Sequence, residues 1–367
     1  MTSNAIAALA TDAHIESIVC LGTGGVGKTT TAAAIGSYAA SQGRPSLVVT
    51  VDPAARLSQI MGAPGRDSLE AATALEPHPV PGMSGLSMVQ LNTSAVFDAA
   101  VRDALPAAQA QSLIANSYYR LIADAFAGSA DYMAAELVGR LRARIAETGE
   151  LLIVDTAPAA SAFEFLDAPS RLAAFTDSRF VRTLQGIGGQ GRGSLLTRTL
   201  LSSVLGSQLT DGVAELLSSL QAALVEMRNR ATSTYEHLTS AASAFVLITR
   251  PSADQLVPVR HAAANLHSRG YQLTACVINQ MPTNHSVRMD DKQLRDTIRG
   301  IDALADPSAA DVADALRLLL EQQRVAVVAQ ALTESLATAS GATGVQIHRT
   351  RGLTDCTSLA ALIASAC

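Results

Sequence analysis

A chain of 367 residues, 48% apolar and only 16% charged, has the length for one large domain or two and ample material for a buried core. A net charge of −5, no tryptophan and only 13 aromatic residues argue against a nucleic-acid partner, which would need a basic surface or stacking platforms. No run of 18 uncharged apolar residues suggests a transmembrane span, and the first 20 residues lack the basic start and apolar centre of a signal peptide, so a cytoplasmic location is expected. Cys20, Cys276, Cys356 and Cys367 are widely spaced with no C-x-x-C, a spacing that supports neither a disulfide framework nor a zinc site.

The first predicted strand is the apolar run 17–22. It feeds Gly22-Thr23-Gly24-Gly25-Val26-Gly27-Lys28-Thr29, followed by Thr30 and an alanine-rich helix. This satisfies G-x-x-x-x-G-K-[ST], a phosphate-binding loop in its required strand–loop–helix order. The glycines let successive backbone N–H groups converge on an anion, and the helix N-terminus adds its positive dipole end. Lys28 is one of two lysines in a chain with 25 arginines. A compact ammonium can reach between β- and γ-phosphates where a planar guanidinium does not fit.

Further strands are predicted at 46–51, 86–91, 150–155, 244–249, 274–279 and 344–348, mostly separated by helical stretches. Near-continuous apolar runs such as 46–51 and 151–155 suit buried parallel strands. The expected fold class is α/β, a mostly parallel sheet covered by helices on both faces, with an inserted helical subdomain. The nucleotide-binding core is assigned to 1–92, 148–170 and 243–367, and the helical inserts to 93–147 and 171–242. Leu216, Leu217, Leu220, Leu224 and Met227 follow an amphipathic helical spacing. The inserted helices either pack on each other or present an apolar groove to a client. The glycine-rich 186–193 fits a mobile lid or a plain linker. Residues 62–85 read as a surface loop, 283–308 as a polar excursion, 309–338 as a long helix, and 359–364 as part of a docked final helix.

Two carboxylates follow apolar strands and supply the remaining chemistry. Asp52 begins Asp52-Pro53-Ala54-Ala55-Arg56-Leu57-Ser58 at the carboxyl edge of the second strand, where it can position the attacking water. Asp155 begins Asp155-Thr156-Ala157-Pro158 and can hold the shell of Mg²⁺, with the Thr29 hydroxyl as a direct metal ligand.

Together, Gly22–Thr30, Asp52–Ser58 and Asp155–Pro158 resemble the deviant phosphate loop, switch I and switch II of the ArsA family of P-loop ATPases, which includes arsenite-pump ATPases and the tail-anchored protein targeting factor. Val277-Ile278-Asn279-Gln280 resembles the strand end whose asparagine contacts adenine in that family. The segments 114–120 and 127–133 look most like its bacterial subgroup. The likeness spans nearly the whole chain. It implies an ATPase using ATP and Mg²⁺ that cycles between open and closed dimers, either a homodimer or a heterodimer with a paralogue.

The chain also departs from the family pattern. The usual loop, G-K-G-G-V-G-K-T-T, carries a first lysine that reaches across the dimer; here that position is Thr23. Either its hydroxyl still donates a hydrogen bond, or the trans contact is lost or is supplied by an arginine or a different subunit. The expectation is slow hydrolysis by a homomeric protein or a weakly hydrolysing subunit of a heterodimer. Ala55-Arg56 replaces the targeting factor's His-Ser, and Arg56 either points at phosphate or caps the surface. Ala159-Ala160-Ser161 stands where switch II usually continues Gly-His.

Among functions, the expected one is an ATP-driven switch handling a protein client or a membrane-protein partner. The alternative is an arsenite or anion efflux ATPase subunit, although soft As(III) wants two or three converging thiols and the cysteines are scattered. A DNA- or membrane-positioning ATPase is disfavoured by the acidic balance. A GTPase is disfavoured because Asn279 is followed by Gln280-Met281-Pro282 rather than by a guanine-reading motif.

Overall fold

The structure, a computed structural model, describes residues 4–52, 56–63, 75–116, 119, 130–157, 163–168, 223, 225–282, 290–304, 307–348 and 355–366. Eight strands form one sheet in the order β3-β4-β2-β5-β1-β6-β7-β8. They are β1 (Ser17–Gly22), β2 (Ser46–Thr50), β3 (His78–Pro79), β4 (Leu86–Gln90), β5 (Leu151–Asp155), β6 (Ser243–Thr249), β7 (Leu273–Met281) and β8 (Thr343–His348). All pairings are parallel except β3 with β4. This is the α/β P-loop NTPase architecture, and it brings the carboxyl ends of β1, β2, β5 and β7 to one edge.

Every residue of β1, β2, β5 and β6 is buried, because helices cover both faces and neither face needs polar side chains. Alternate residues serve opposite layers. Val19, Leu47, Val49, Val154 and Leu247 join one core with α4 (Thr93–Ala104), α6 (Ala130–Thr148), α8 (Leu256–Ser268) and the second half of α10 (Pro307–Ser340). Ile18, Val48, Ile153, Val246 and Val277 join the other with α1 (Ala5–Thr11), α2 (Lys28–Ser41) and α11 (Cys356–Ala364). The alanine-rich start of α2 lets that helix lie close to the sheet. At Gly36 an added Cβ would sit 2.5 Å from a Val48 methyl, so a side chain there would push α2 outward.

Three features differ from the sequence-based reading. β3 lies inside the stretch expected to be loop, since a two-residue edge strand ending in proline gives no alternation to detect. The helix α9 (Asp291–Ala303) lies inside the expected polar excursion. Its buried positions are only Leu294 and Ile298, one turn apart, and Asp290 caps it by accepting from the N–H groups of Lys292 and Gln293. The N-terminal α1 has no counterpart among the elements expected from sequence. It is capped by Asn4, and its apolar face is short, with Ile6, Leu9 and Ala10 buried. The terminal helix does dock, packing α11 on α2 with Leu359, Leu362 and Ile363 buried. Within the segments expected to form the helical inserts, α4, α5 (Ala107–Ala115), α6 and the helix α7 (225–238) are described; 171–222, with its glycine-rich segment and Leu216, Leu217 and Leu220, lies outside the described residues, as does Leu224. Met227 is buried.

An ion-pair cluster joins these helices. The buried Glu136 of α6 pairs with Arg140 and with Arg230 of α7, each at 2.8 Å, and Arg140 also reaches Asp103 of α4 at 2.9 Å. A second tie lies at the sheet edge remote from the phosphate loop. The His237 Nε2 atom of α7 is 2.8 Å from the buried Ser17 hydroxyl, and its Nδ1 is 3.6 Å from Glu16. Burial holds the His237 pKa below its ordinary value, with Arg142 adding to this and Glu16 opposing it. A depressed folded-state pKa means the unfolded chain binds the proton more readily, so this group's contribution is present above about pH 6.5 and is lost on acidification. The expected result for His237→Leu is a loss of about 1–3 kcal/mol at neutral pH, because the Ser17 hydroxyl is left buried and unmatched. Urea midpoints at pH 5 and 7.5 check it: the gap from wild type should narrow at the lower pH, and an unchanged midpoint at pH 7.5 would count against the tie.

No helix among the described residues is long and apolar enough to cross a membrane.

Candidate active site

The loop between β1 and α2 is shaped by where glycines are required. Gly27 sits at φ 92° as the N-cap of α2, and a Cβ there would strike the Asn279 side chain; at Gly22 it would strike the Ile248 carbonyl of the neighbouring strand. Gly24 and Gly25 form the exposed apex, while Val26 is fully buried and anchors the loop to the core. Lys28 opens α2 and is only 7% exposed. Its Nζ donates to the Thr23 carbonyl across the loop at 3.0 Å. Burial pulls the Lys28 pKa down, Asp155 and Asp52 oppose that, and Arg56 reinforces it. The ammonium therefore sits between an acidic floor and the open loop.

Beneath the loop lies Asp155, fully buried at the end of β5 and opposite Cys20 of β1. Its Oδ2 accepts from the Thr50 hydroxyl at 3.0 Å, and the nearby Thr29 side chain helps hold the carboxyl pKa down. Oδ1 is buried with no hydrogen-bond partner among the described residues. Burial raises the Asp155 pKa to about 6, against the pull of Thr29, Thr50 and Lys28. An orphaned buried carboxylate oxygen beside a threonine hydroxyl is costly in itself and suits a hard, oxygen-seeking divalent cation. The residues present therefore fit Mg²⁺, with Thr29 and Asp155 as the groups that would hold it. Asp52 lies just past β2, half-buried, its backbone N–H donating to the Thr50 hydroxyl at 3.3 Å. Lys28 and Asp155 both feel its charge. Arg56 is exposed at the start of α3 (Arg56–Met61); residues 53–55 and 158–162, which include the rest of both switch-like segments, lie outside the described residues.

Thr29 and Thr30 follow Lys28 and are half-buried. Thr23 turns its hydroxyl away from the loop interior and donates to the Gln255 side chain at 2.7 Å. Asn279 comes up from β7, 9% exposed, with Nδ2 donating to the Val26 carbonyl at 2.9 Å and Oδ1 accepting from the Gln280 N–H at 2.8 Å. Gln280, at φ 62°, also donates from its side chain to the Gly25 carbonyl at 3.3 Å. The Asn279 carboxamide thus braces the phosphate loop.

A model of the anion-transporting ATPase (ArsA) family matches residues 15–297, far more than half of the chain and inclusive of the phosphate loop, both aspartates and Asn279. The chain belongs to the ArsA ATPase family. No curated protein matches it.

This ArsA-family ATPase domain also contains long-range ties that sequence reasoning missed. The helical residues 163–168, which follow the Asp155 segment, are clamped to the far end of α8. Arg269 grips Asp167 through two bonds of 2.9 and 3.0 Å and lies over the Phe163 ring at 5.3 Å, while the Tyr271 hydroxyl donates to the Leu166 carbonyl at 3.1 Å. A lone arginine and a lone tyrosine in a loop carry no motif, so only the fold reveals them. Gln255 was missed for the same reason.

Proposed function

We propose that this protein is a Mg²⁺-dependent ATPase, converting ATP to ADP and phosphate, and that nucleotide state sets the conformation of a dimer and of its helical subdomain so as to handle a protein client in the cytoplasm. The observation that carries the reading is the meeting of Lys28, Asp52 and an Asp155 oxygen without a partner among the described residues, directly beneath a glycine-shaped loop. In this mechanism the loop's N–H groups and the α2 N-terminus cradle the phosphates. Lys28 exchanges the Thr23 carbonyl for phosphate oxygens and neutralises charge as it develops. Mg²⁺, when held by Thr29 and Asp155, supplies charge neutralisation and orientation of the terminal phosphates. Asp52 orients water toward the γ-phosphate.

The efflux alternative is weakened by the cysteines. Cys20 and Cys276 belong to the two opposite faces of the sheet, on strands separated by β6, and both thiols are pushed up in pKa by complete burial. Cys356 is buried on α11 and its pKa too is raised by burial. These three thiols cannot converge on one soft metalloid.

Phosphate release from ATP, with and without Mg²⁺ and with GTP as competitor, tests the reading alongside light scattering of the nucleotide-bound protein. Expected are Mg²⁺-dependent release, a shift to dimer with ATP, and a loss of at least about tenfold in ATP affinity for Lys28→Ala, since a charge-assisted contact is removed. Wild-type protein that does not bind ATP would overturn it.

A further inference from the structure

The phosphate loop is held at both shoulders by side-chain carboxamides. On the Val26 side the brace is Asn279; on the Thr23 side it is Gln255, 232 residues away in sequence and 2.7 Å from the Thr23 hydroxyl. We infer that Gln255 is a positioning residue for nucleotide binding, acting through the Thr23 hydroxyl to hold the phosphate loop open and in register. This rests on the ATPase reading above and extends it to a residue outside the loop.

Several observations support the inference. Gln255 ends the short 3₁₀ turn Ala253–Gln255 and leads directly into α8, so its backbone is fixed by a helix packed on the sheet. Its side chain is only 7% exposed, and both ends are engaged. Nε2 donates to the Asp254 carboxylate at 2.9 Å, which in turn accepts from Arg250 at 3.0 Å and from the Ser252 hydroxyl. Those hydrogen bonds hold the Asp254 carboxyl well below the usual carboxylate range, with Ser252 the largest contributor. An ionised carboxylate can only accept, so it fixes the amide orientation: Nε2 must face Asp254, and Oε1 is left to accept from Thr23. Flipping the amide would set two acceptors against each other.

Thr23 is a pivot in this arrangement. Its hydroxyl is held by Gln255, while its carbonyl holds the Lys28 ammonium. Once Lys28 turns to a phosphate, the carbonyl loses its partner, and the Gln255 bond is what keeps this shoulder in place. The apex residues Gly24 and Gly25 have no side chains to anchor them, and Cβ atoms added there would meet nothing within 4 Å. Order in this segment must come from its shoulders and from the Gln280 side chain on the Gly25 carbonyl. Pre-organisation of this kind lowers the entropy of capturing a phosphate chain and so acts on ground-state affinity more than on the chemical step.

The experiment compares Thr23→Val, Gln255→Leu, the double variant and Thr23→Ser in full-length protein, reading KM and kcat for Mg-ATP and the nucleotide-free melting temperature. Gln255→Leu should fold, because the side chain borders a cavity of about 110 Å³ lined by Phe163, Leu247, Ile248, Pro258 and Val259. Each single variant is expected to raise KM about fivefold with kcat changed less than about twofold, the scale of one buried hydrogen bond. The double variant should match a single one, and Thr23→Ser, which keeps the hydroxyl, should recover most of the loss in Thr23→Val. Unchanged KM in Gln255→Leu, or a double variant near the additive product of about 25-fold, overturns the inference while leaving the ATPase reading intact. A lowered melting temperature without the KM-against-kcat split also overturns it, reducing the contact to a structural one. Wild-type protein that fails to bind ATP overturns the ATPase reading itself.

Discussion

Asp52→Asn is expected to bind Mg-ATP within a few-fold of wild type and to turn it over at least about 100-fold more slowly, the usual scale for removing a group that positions or polarises a reacting water. The substitution keeps the shape of the side chain and leaves the backbone tie to Thr50 in place, since that bond uses the Asp52 N–H. What changes is the charge facing Lys28 and Asp155. Removing a like charge from the neighbourhood of Asp155 eases ionisation of that carboxylate, so nucleotide and Mg²⁺ affinity should be held or slightly improved. Loss therefore falls on kcat and not on KM, the pattern of an interaction made in the transition state. Single-turnover measurements with bound ATP separate this from slow product release. Normal turnover in the variant would remove Asp52 from its role.

The same variant offers a test of the proposed client. A protein that holds ATP without consuming it should dwell in its nucleotide-bound conformation, and a partner that prefers that state is enriched by mass action.

How far the sequence reveals such a site depends on the range over which each interaction acts. The phosphate loop is local: strand, turn and helix lie within one stretch, and the glycines at 22 and 27 are dictated by close approach and positive φ. Asp52 and Asp155 are legible because each ends an apolar strand, and parallel strands bring their carboxyl ends to one edge. β1, β2, β5 and β6 are legible as runs of wholly buried residues, whereas β8 alternates buried with half-buried positions and gives a weaker signal. Gln255 and Arg269 are not legible in this way. Their partners, Thr23 and Asp167, lie 232 and 102 residues away, and a single glutamine or arginine at the end of a helix has many surface uses. The second tie at the remote edge, Ser17 with His237, spans 220 residues and is equally silent in sequence. Asn279 is an intermediate case: its position on a strand end is legible, whereas its bond to the Val26 carbonyl follows from the loop's path.

Asp155→Asn is expected to separate stability from function in opposite directions. In the wild type the buried carboxyl titrates at about 6, raised chiefly by desolvation. Its unfolded value is near 3.9. A raised folded-state pKa means the native protein binds the proton more tightly than the unfolded chain, so this group's contribution is full below about pH 4 and is lost as pH rises through 6. At pH 7.5 the ionised form costs on the order of 2–3 kcal/mol relative to the protonated one. The neutral asparagine carries no such pH-dependent cost, and its carboxamide oxygen can still accept from Thr50. Metal-free denaturation midpoints at pH 4.5 and 7.5 should therefore differ less in the variant than in the wild type. Adding Mg²⁺ with ADP should raise the wild-type midpoint, by linkage, and leave the variant nearly unmoved, because a carboxamide is a poor substitute for a charged oxygen toward a hard cation. Mg²⁺-dependent turnover should fall at least about 100-fold in parallel, the order expected when a charge-neutralising contact at the phosphates is lost. Equal Mg²⁺ stabilisation of the two proteins would mean that Asp155 does not hold the metal, and that its buried carboxylate serves some other purpose in the fold.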